Sequence, residues 1–428
     1  MGIFFDTTSA IYSSIKYRSG RIARSNRSNR LPKQKDYQLE PLESRLLLSA
    51  TLAGVPDWID QGAETILNAS SVITTPTNPV TGAVQSIAIN PSNAQQIFVG
   101  TVNGGIWRTN NADPANPGAV VWTPLTDQQT SLAVGSIAFS SLDPTGNTLY
   151  AGMGSFSNLT WSNPPQTDIG ILRTTDGGAT WVNFAVNPAN EGRIKAVLPT
   201  GVDLDPGVGV QEMILVAEID GGGGGGLYRS DNNGQTFTLL SGANGLPGGS
   251  VTQLIVDPNN AQRYYAALPG LGVYLGDFNA GVITWTQVNG TGTNVLGAVG
   301  TSANIQIAAH DDGLNTVLYV GLANAVSGIT ATLTGVFRSA DAGANWTALG
   351  APTPFNSFDV RGSGFSLVAD PVNNQVVYVS GLATTNDIAR YRPATNDWVS
   401  IIGAGAQNNT SPTVTNDTAT NFPSISGL

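Results

Sequence analysis

Short runs of alternating apolar and polar residues recur along the chain from Gly82 to about residue 402, separated by Gly, Asn, Asp and Pro. Alternation with a period of two is typical of β-strands, and the separating residues are typical of tight turns. The runs fall into six units of roughly 45–65 residues, and each unit contains four predicted strands. The first strands of these units are predicted at Ser86–Ile89, Ser136–Phe139, Lys195–Leu198, Gln253–Val256, Ile305–Ala308 and Ser366–Ala369.

A turn motif repeats within these units. The stretch Arg173–Trp181 places an Asp, two glycines and a hydroxyl residue between an apolar run and a tryptophan, and Arg229–Phe237 and Arg338–Trp346 keep the same spacing. Asp and Asn accept backbone N–H groups within a turn, and Gly tolerates positive φ, so each stretch predicts a strand, a tight turn and a strand.

Four short strands repeated six times predict an all-β fold, a single β-propeller of four-stranded blades. Residues Leu52–Pro79 leave open a seventh closing blade, because they contain a further apolar stretch. Each unit ends in a large aromatic residue, which we expect to pack near the outer strand against a neighbouring blade. These residues are Trp122, Trp181, Phe237, Trp285, Trp346 and Trp398.

The repeated turns resemble the Asp-box (BNR) repeats of sialidases, sortilin-type receptors and xyloglucan-hydrolysing propeller enzymes. The resemblance covers roughly residues 55–402 and implies structural hairpins far from the ligand face. The residues that match the motif are Asp176, Gly178 and Trp181, then Asn232, Gly234 and Phe237, then Asp341, Gly343 and Trp346.

The residues before the repeats have a different character. Residues 1–38 are rich in Ser and Arg without apolar periodicity and are predicted to be disordered, with 39–55 as an export segment, 56–402 as the propeller and 403–428 as a polar tail. Leu39–Ala50 resembles the LEPR-XLL motif of large exported bacterial proteins, which implies a location outside the cell or in its envelope. A short amphipathic helix is the alternative reading of this segment.

The amino-acid composition excludes several kinds of catalytic and metal-binding site. The chain of 428 residues has no cysteine and a single histidine, His310, which excludes thiolate sites, a cysteine nucleophile and multi-histidine metal centres. Nine of the 19 basic residues but four of the 29 acidic residues precede residue 46, so the remainder is strongly acidic. An acidic body disfavours nucleic acid as a partner. We expect neither a metal nor a cofactor, no membrane span, and a monomeric propeller.

Irregular insertions are predicted on one face of the blades, at Met153–Ile169, Ile219–Gly226, Leu322–Thr334 and Leu382–Asp387. Variable loops on a repeated scaffold commonly carry function. The first insertion holds the candidate ligand residues Phe156, Trp161 and Asp168, since an exposed tryptophan can stack on a sugar ring or anchor a partner. Burial of Trp161 beneath the folded loop is the alternative. A solvated acidic edge is expected on unit three, formed by Asp203, Asp205, Glu212, Glu218 and Asp220.

The resemblance can be tested on catalytic residues. Xyloglucanase-like propellers carry a catalytic Asp in a Thr-Asp-Val-Gly-Gly stretch of the first blade, and the matching stretch here, Thr101–Gly105, lacks a carboxylate. Arg108, Arg173, Arg229 and Arg338 occupy equivalent repeat positions, which does not match the arginine cluster of sialidases.

The sequence therefore favours an exported, non-catalytic binding or display module for a protein or glycan. A glycoside hydrolase-like enzyme with Asp168 as its weak catalytic candidate is the first alternative. A structural fragment of a larger surface protein is the second.

Overall fold

A computed structural model describes residues 66–67, 79–80, 84–102, 104–113, 115–116, 119–154, 156, 170–187, 192–207, 209–219, 225–327, 330–352, 358–359, 365–381 and 387–400. All of these residues belong to the second of two units into which the chain divides, Ile59–Leu428. The first unit, Met1–Trp58, lies outside the described residues, and so do the predicted export motif, Trp161, Asp168 and the polar tail.

The described residues form antiparallel sheets that follow the predicted units. The first three sheets contain four strands each. Sheet one has β3 (Val84–Asn90), β4 (Asn93–Thr101), β5 (Ile106–Thr109) and β6 (Trp122–Pro124); sheet two has β7 (Val134–Phe139), β8 (Leu149–Met153), β9 (Ile171–Thr174) and β10 (Val182–Phe184); sheet three has β11 (Arg193–Asp203), β12 (Glu212–Ile219), β13 (Gly226–Ser230) and β14 (Thr238–Leu239).

The next three sheets repeat this order. Sheet four has β15 (Gln253–Asp257), β16 (Asn260–Leu268), β17 (Gly272–Asn279) and β18 (Val282–Gln287); sheet five has β21 (Ser302–Asp311), β22 (Thr316–Ser327), β23 (Thr330–Ser339), β24 (Thr347–Gly350) and the added β25 (Phe358–Asp359); sheet six has β26 (Ser366–Ala369), β27 (Val377–Gly381), β28 (Asp387–Arg392) and β29 (Asp397–Ser400). Two small pairs, β1 (Ile66–Leu67) with β2 (Pro79–Val80) and β19 (Gly290–Thr291) with β20 (Asn294–Val295), and a 3₁₀ turn at Val299–Thr301 complete the description. The all-β prediction and the division into four-stranded sheets are confirmed.

One insertion differs from the prediction. Leu322–Thr334 was predicted to be an irregular loop, but β22 and β23 continue as a paired hairpin through this segment, and β25 pairs with the far end of β23. The segment contains Val, Ile and three Thr residues, which favour strands, and no charged residue. Extended pairing therefore satisfies its backbone better than a loop would.

Consecutive sheets pack face to face through five hydrophobic clusters. Phe98 of sheet one meets Leu149 and Leu172 of sheet two, and the opposite face of sheet two packs Tyr150 against sheet three. Equivalent clusters join sheets three and four, four and five, and five and six. Because the second strand of a sheet is buried on both faces, it reads as a continuous apolar run rather than an alternating one. Among the described residues, sheets one and six share no such cluster.

Glycine near the end of a second strand makes room for the next sheet. A Cβ atom at Gly152 would lie 2.4 Å from Ile194 Cγ2, and one at Gly321 would lie 2.5 Å from the Phe365 ring. In both cases the obstructing side chain comes from the beginning of the next sheet. Glycine at this position therefore sets how closely consecutive sheets approach.

The closing aromatic residues pack on the preceding sheet. The indole N–H of Trp346 donates to the Val288 carbonyl at 2.8 Å, and that of Trp398 donates to the Leu349 carbonyl at 3.0 Å. Trp181 packs on the cluster between sheets one and two. The indole hydrogen bonds of Trp346 and Trp398 tie one sheet to another, whereas the buried indole N–H of Trp181 has no such bond and its ring contributes apolar packing alone.

The repeated turns share one hydrogen-bond arrangement. Asp176 Oδ1 accepts from Thr174 Oγ1 at 2.7 Å and from the Thr180 N–H at 2.9 Å, and the Gly178 N–H donates to Thr174 Oγ1 at 2.9 Å. The turns at Asn232 and Asp341 repeat these bonds residue by residue. The backbone has positive φ at two successive positions in each turn, and the second of them is always glycine. The side chain at the Asp position thus stabilises the turn through hydrogen bonds with residues of the same turn.

We expect Gly152→Ala to lower the free energy of unfolding by about 1–3 kcal/mol, because the added methyl group would overlap Ile194. Gly248→Ala is the matched control, since no atom lies within 4 Å of its added Cβ. Urea unfolding of both variants checks this. Equal stability of the two variants would show that the sheets do not depend on this close approach.

We expect Asp176→Ala to cost about 1 kcal/mol at pH 7, whereas Asp176→Asn should keep most of the stability, because Asn232 fills the equivalent position. The hydrogen bonds from Thr180 and Thr174 lower the pKa of the Asp176 carboxyl from 3.8 to about 2. Its contribution is therefore present above pH 3.8 and lost as the pH falls through about 2. Thermal unfolding between pH 7 and about pH 2 measures this; an Asn variant as unstable as the Ala variant at pH 7 contradicts it.

Candidate functional site

The antiparallel strand order gives every sheet two distinct ends. Connections between second and third strands, and from one sheet to the next, lie at one end, which we call the loop end. The repeated turns and the connections between first and second strands lie at the other, the turn end. The predicted insertions all belong to the loop end.

Polar groups at the turn end are engaged in structural hydrogen bonds. Asp257 accepts from Thr316 and Tyr265 of neighbouring strands, and Asp370 accepts from Tyr378 at 2.9 Å. His310 Nδ1 lies 2.7 Å from the Asp370 carbonyl oxygen, which can only accept, so this nitrogen carries the proton. His310 lies near the end of β21, and this contact joins that strand to sheet six.

The repeat arginines also hold one sheet to the next. Arg108 Nη1 donates to the Gly177 carbonyl at 2.7 Å, and Arg229 Nη1 donates to the Gly281 carbonyl at 2.7 Å. Arg338 Nε donates to the Asn374 carbonyl at 3.0 Å. Each acceptor belongs to the sheet that follows, so these guanidinium groups are fixed at the turn end, away from the insertions.

Phe156 begins the large insertion at the loop end and is buried, with 3% of its surface exposed. The guanidinium carbon of Arg193 lies 5.6 Å from its ring centroid, and Lys195 Nζ lies 4.9 Å from it. When the Gln85 side-chain amide is oriented so that its nitrogen and its oxygen both have partners, its oxygen accepts from the Phe156 N–H at 3.1 Å. The Phe156 ring therefore contacts two cationic side chains, and its backbone N–H is hydrogen-bonded at the start of the insertion. Because the ring is buried, a sugar cannot stack on it.

Glu218 is the second notable group at this end. It is fully buried at the end of β12, accepts from the Gly192 N–H, and has no partner for its Oε2 atom. Burial raises the pKa of the Glu218 carboxyl above its ordinary value of 4.5, and the Gly192 N–H only partly opposes this. Burial and the nearby Glu218 raise the pKa of the Tyr228 hydroxyl to about 12, and Asn187 Nδ2 donates to that hydroxyl at 3.0 Å.

In the predicted acidic edge, Asp203 and Asp205 are half-buried, and Asp220 lies outside the described residues. The prediction was wrong for Glu212 and Glu218. Both side chains are buried, because residues six apart on a strand face the same side, here the interface with sheet two. Glu212 lies at the turn end and accepts from Ser140 Oγ at 2.5 Å, the Ser141 N–H at 3.1 Å and the Gly201 N–H at 3.2 Å. The two carboxyl groups therefore lie at opposite ends of β12.

The turn after β4 occupies the position of the xyloglucanase motif. The Gly104 N–H donates to Thr101 Oγ1 at 2.9 Å, and Trp107 Nε1 donates to the Gly104 carbonyl at 2.7 Å. Val102 is 6% exposed, and it stands where the motif has its carboxylate. The turn is closed by its own hydrogen bonds and offers no acid.

Sequence reasoning did not identify Lys195 or Glu218 as features of the loop end. Lys195 is the one lysine after residue 35, and it lies in an irregularity of the β11–β12 pairing between Ile194 and Ala196. A lone lysine in an apolar strand is a sequence feature that could have identified Lys195. No sequence feature indicates that Glu218 is buried, because its burial depends on the neighbouring sheet.

The described groups can bind and orient a ligand more readily than they can perform acid–base chemistry. Across the described residues, no group of three or more His, Asp or Glu side chains could hold a metal ion. Burial keeps the Glu218 carboxyl protonated at a higher pH than a solvated carboxyl. A carboxyl group that retains its proton can act as a proton donor. No helix in the described part of the chain is long and apolar enough to cross a membrane.

Comparisons with known proteins found a similar sequence and similar solved structures. No family model matches the chain. The chain is 25% identical over 349 residues to a xyloglucanase of Paenibacillus sp, a match that covers 76% of this chain and 27% of that protein. A solved structure of an ancestral GH74 enzyme is similar with a TM-score of 0.52 at 16% identity, covering 77% of this chain and 37% of that one. The chain thus spans about a quarter of the length of the xyloglucanase, and the structural similarity supports a β-propeller-type fold.

We expect Glu218→Gln to raise the free energy of unfolding at pH 7 by about 1–3 kcal/mol, because an ionised buried oxygen without a partner is removed. Since the folded-state pKa of Glu218 is raised, its favourable contribution exists below pH 4.5 and is lost as the pH rises through the folded value. The advantage of the variant should therefore vanish near pH 4.

Chemical unfolding across this pH range measures the difference, with the exposed Asp127→Asn as control. A Gln variant that is less stable than the wild type at pH 7 would mean that the carboxylate charge is compensated in the folded protein.

Proposed function

We propose that this chain is a glycoside hydrolase-like β-propeller that acts on a neutral β-glucan of the xyloglucan class. The observation that carries the proposal is the similarity to a xyloglucanase over 349 residues, which runs through most of the repeated sheets. A neutral glucan suits an acidic body, because no like-charge repulsion opposes its approach.

The ligand surface in this proposal is the loop end. The Gly154 N–H donates to the Ala133 carbonyl at 2.9 Å, and Phe156 is buried two residues later, so the insertion leaves the sheet from a fixed base. Trp161 and Asp168 follow on this insertion. In the proposal Trp161 stacks on a sugar ring, and Asp168 acts as the acid or base at the glycosidic bond.

A non-catalytic binding or display module is the second candidate, and the buried Val102 favours it. A propeller that has an apolar side chain at the motif's acid position keeps a scaffold for carbohydrate or protein ligands without that catalytic carboxylate. The structural-fragment hypothesis also remains a proposal.

The proposal includes closure of the ring beyond the six sheets. Ile89 on the uncovered face of sheet one is 48% exposed, and Tyr378 and Ile388 lie half-buried on the corresponding face of sheet six. A seventh blade that includes residues 52–79 would cover both faces. The Asp-box turns are structural in this arrangement, the propeller is monomeric, and the LEPR-XLL-like segment directs its export.

We expect the purified protein to release reducing ends from xyloglucan, and Asp168→Ala to lower that rate at least about 100-fold, the usual contribution of an acid–base group. Asp127→Ala serves as the matched control, since Asp127 is exposed on another connection. Reducing-sugar assays measure turnover, and affinity electrophoresis in xyloglucan-containing gels measures binding in parallel.

Retarded migration without turnover would replace the enzyme by the binding module. Absence of both binding and turnover on xyloglucan would overturn the proposed substrate class.

A further inference from the structure

A cavity of about 330 Å³ lies between the first strands of sheets three to six. Its wall is built from consecutive residues of three strands and a single residue of sheet three. The lining residues are Leu198, Gln253–Val256, Pro258, Gln306–Ala309 and Ser366–Ala369. Its volume is at the lower end of the range for small-molecule sites, which suits a ligand of one or two rings.

The chemistry of the wall is neutral. None of the lining residues carries a charge, although the rest of the propeller is strongly acidic. A charged ligand would lose its hydration without gaining an ion partner, so the wall disfavours ions. The apolar side chains can contact C–H groups, while the amides of Gln253 and Gln306 can form hydrogen bonds with a ligand. The Ser366 hydroxyl is already hydrogen-bonded to the Ser380 hydroxyl at 2.6 Å.

The amides of this wall are incompletely used within the protein. Gln306 Nε2 donates to Asn304 Oδ1 at 3.0 Å, but Asn304 Nδ2 is buried without a hydrogen-bond partner. Asn304 is 1% exposed and Gln306 is 3% exposed, and both point to the same side of β21. The Gln253 side chain makes no hydrogen bond to another described residue. Asn304 is not among the lining residues, but a glutamine amide has two donor hydrogens and an acceptor oxygen, so Gln253 and Gln306 keep hydrogen-bonding capacity for a ligand.

We propose that this cavity is a binding site for a small, neutral, hydroxyl-rich ring, of the size of a single pyranose. The hydroxyl groups of such a ligand both donate and accept, which matches amide groups, while its C–H faces match the aliphatic wall. None of the lining residues belongs to a predicted insertion, and the site does not depend on the proposed hydrolase activity.

Ligand-observed NMR and calorimetry with D-xylose, D-glucose and cellobiose test the site on the intact protein. We expect one neutral monosaccharide to bind with a dissociation constant on the order of 1 mM, as the small number of contacting atoms allows. Glucuronate and glucosamine should bind at least tenfold more weakly, because each brings a charge into a neutral wall.

Two variants locate the binding. Ala309→Phe fills the cavity and should weaken binding at least tenfold, whereas Ala303→Phe, on the same strand but outside the lining, should leave it unchanged. Gln306→Leu removes the amide at similar volume and should weaken binding several-fold. Circular dichroism and unfolding midpoints establish that each variant is folded.

Three results would overturn the proposal. They are no binding of any neutral sugar at 20-fold above the expected constant (roughly 20 mM), equal binding of charged and neutral sugars, and unchanged binding in a folded Ala309→Phe variant. Failure here leaves xyloglucan turnover unaffected, so the two proposals are tested separately.

Discussion

The fold depends on the contact between the second strand of one sheet and the first strand of the next. Tyr150 and Leu149 are adjacent in β8, yet they enter different clusters on opposite faces of sheet two. Each sheet is therefore a partition between two cores, and its stability depends on both neighbours. This explains why glycine occurs where the next sheet begins, and why no single sheet could bury its apolar faces alone.

The two ends of the sheets have different roles, one structural and one available for function. At the turn end, carboxylates, arginines and the histidine are hydrogen-bonded within or between sheets, and little of their capacity remains for a ligand. At the loop end, connections are longer, and Phe156, Lys195 and Glu218 form a base from which they extend. Structural and functional demands are thus met by different residues, which lets one end vary while the other maintains the fold.

The similarity to xyloglucanases and the missing motif carboxylate favour different functions, and both have a physical basis. Sheet packing and turn chemistry can persist across a group while the catalytic set changes, because the first depends on many distributed contacts and the second on one or two side chains. The relative is also several times longer than the matched segment.

The sequence by itself determined four strands in each of the six sheets and the repeated turns, because period-two alternation and the Asp–Gly turn chemistry are local properties. It did not predict β25, the fifth strand of sheet five. It could not determine that Leu322–Thr334 pairs as a hairpin, since pairing requires a register between two strands. Nor could it show that Glu212 and Glu218 are buried, that Phe156 lies beneath two cations, or that uncharged residues of four sheets enclose a cavity. Only the tertiary structure decided these features, because burial and proximity depend on which sheet packs against which.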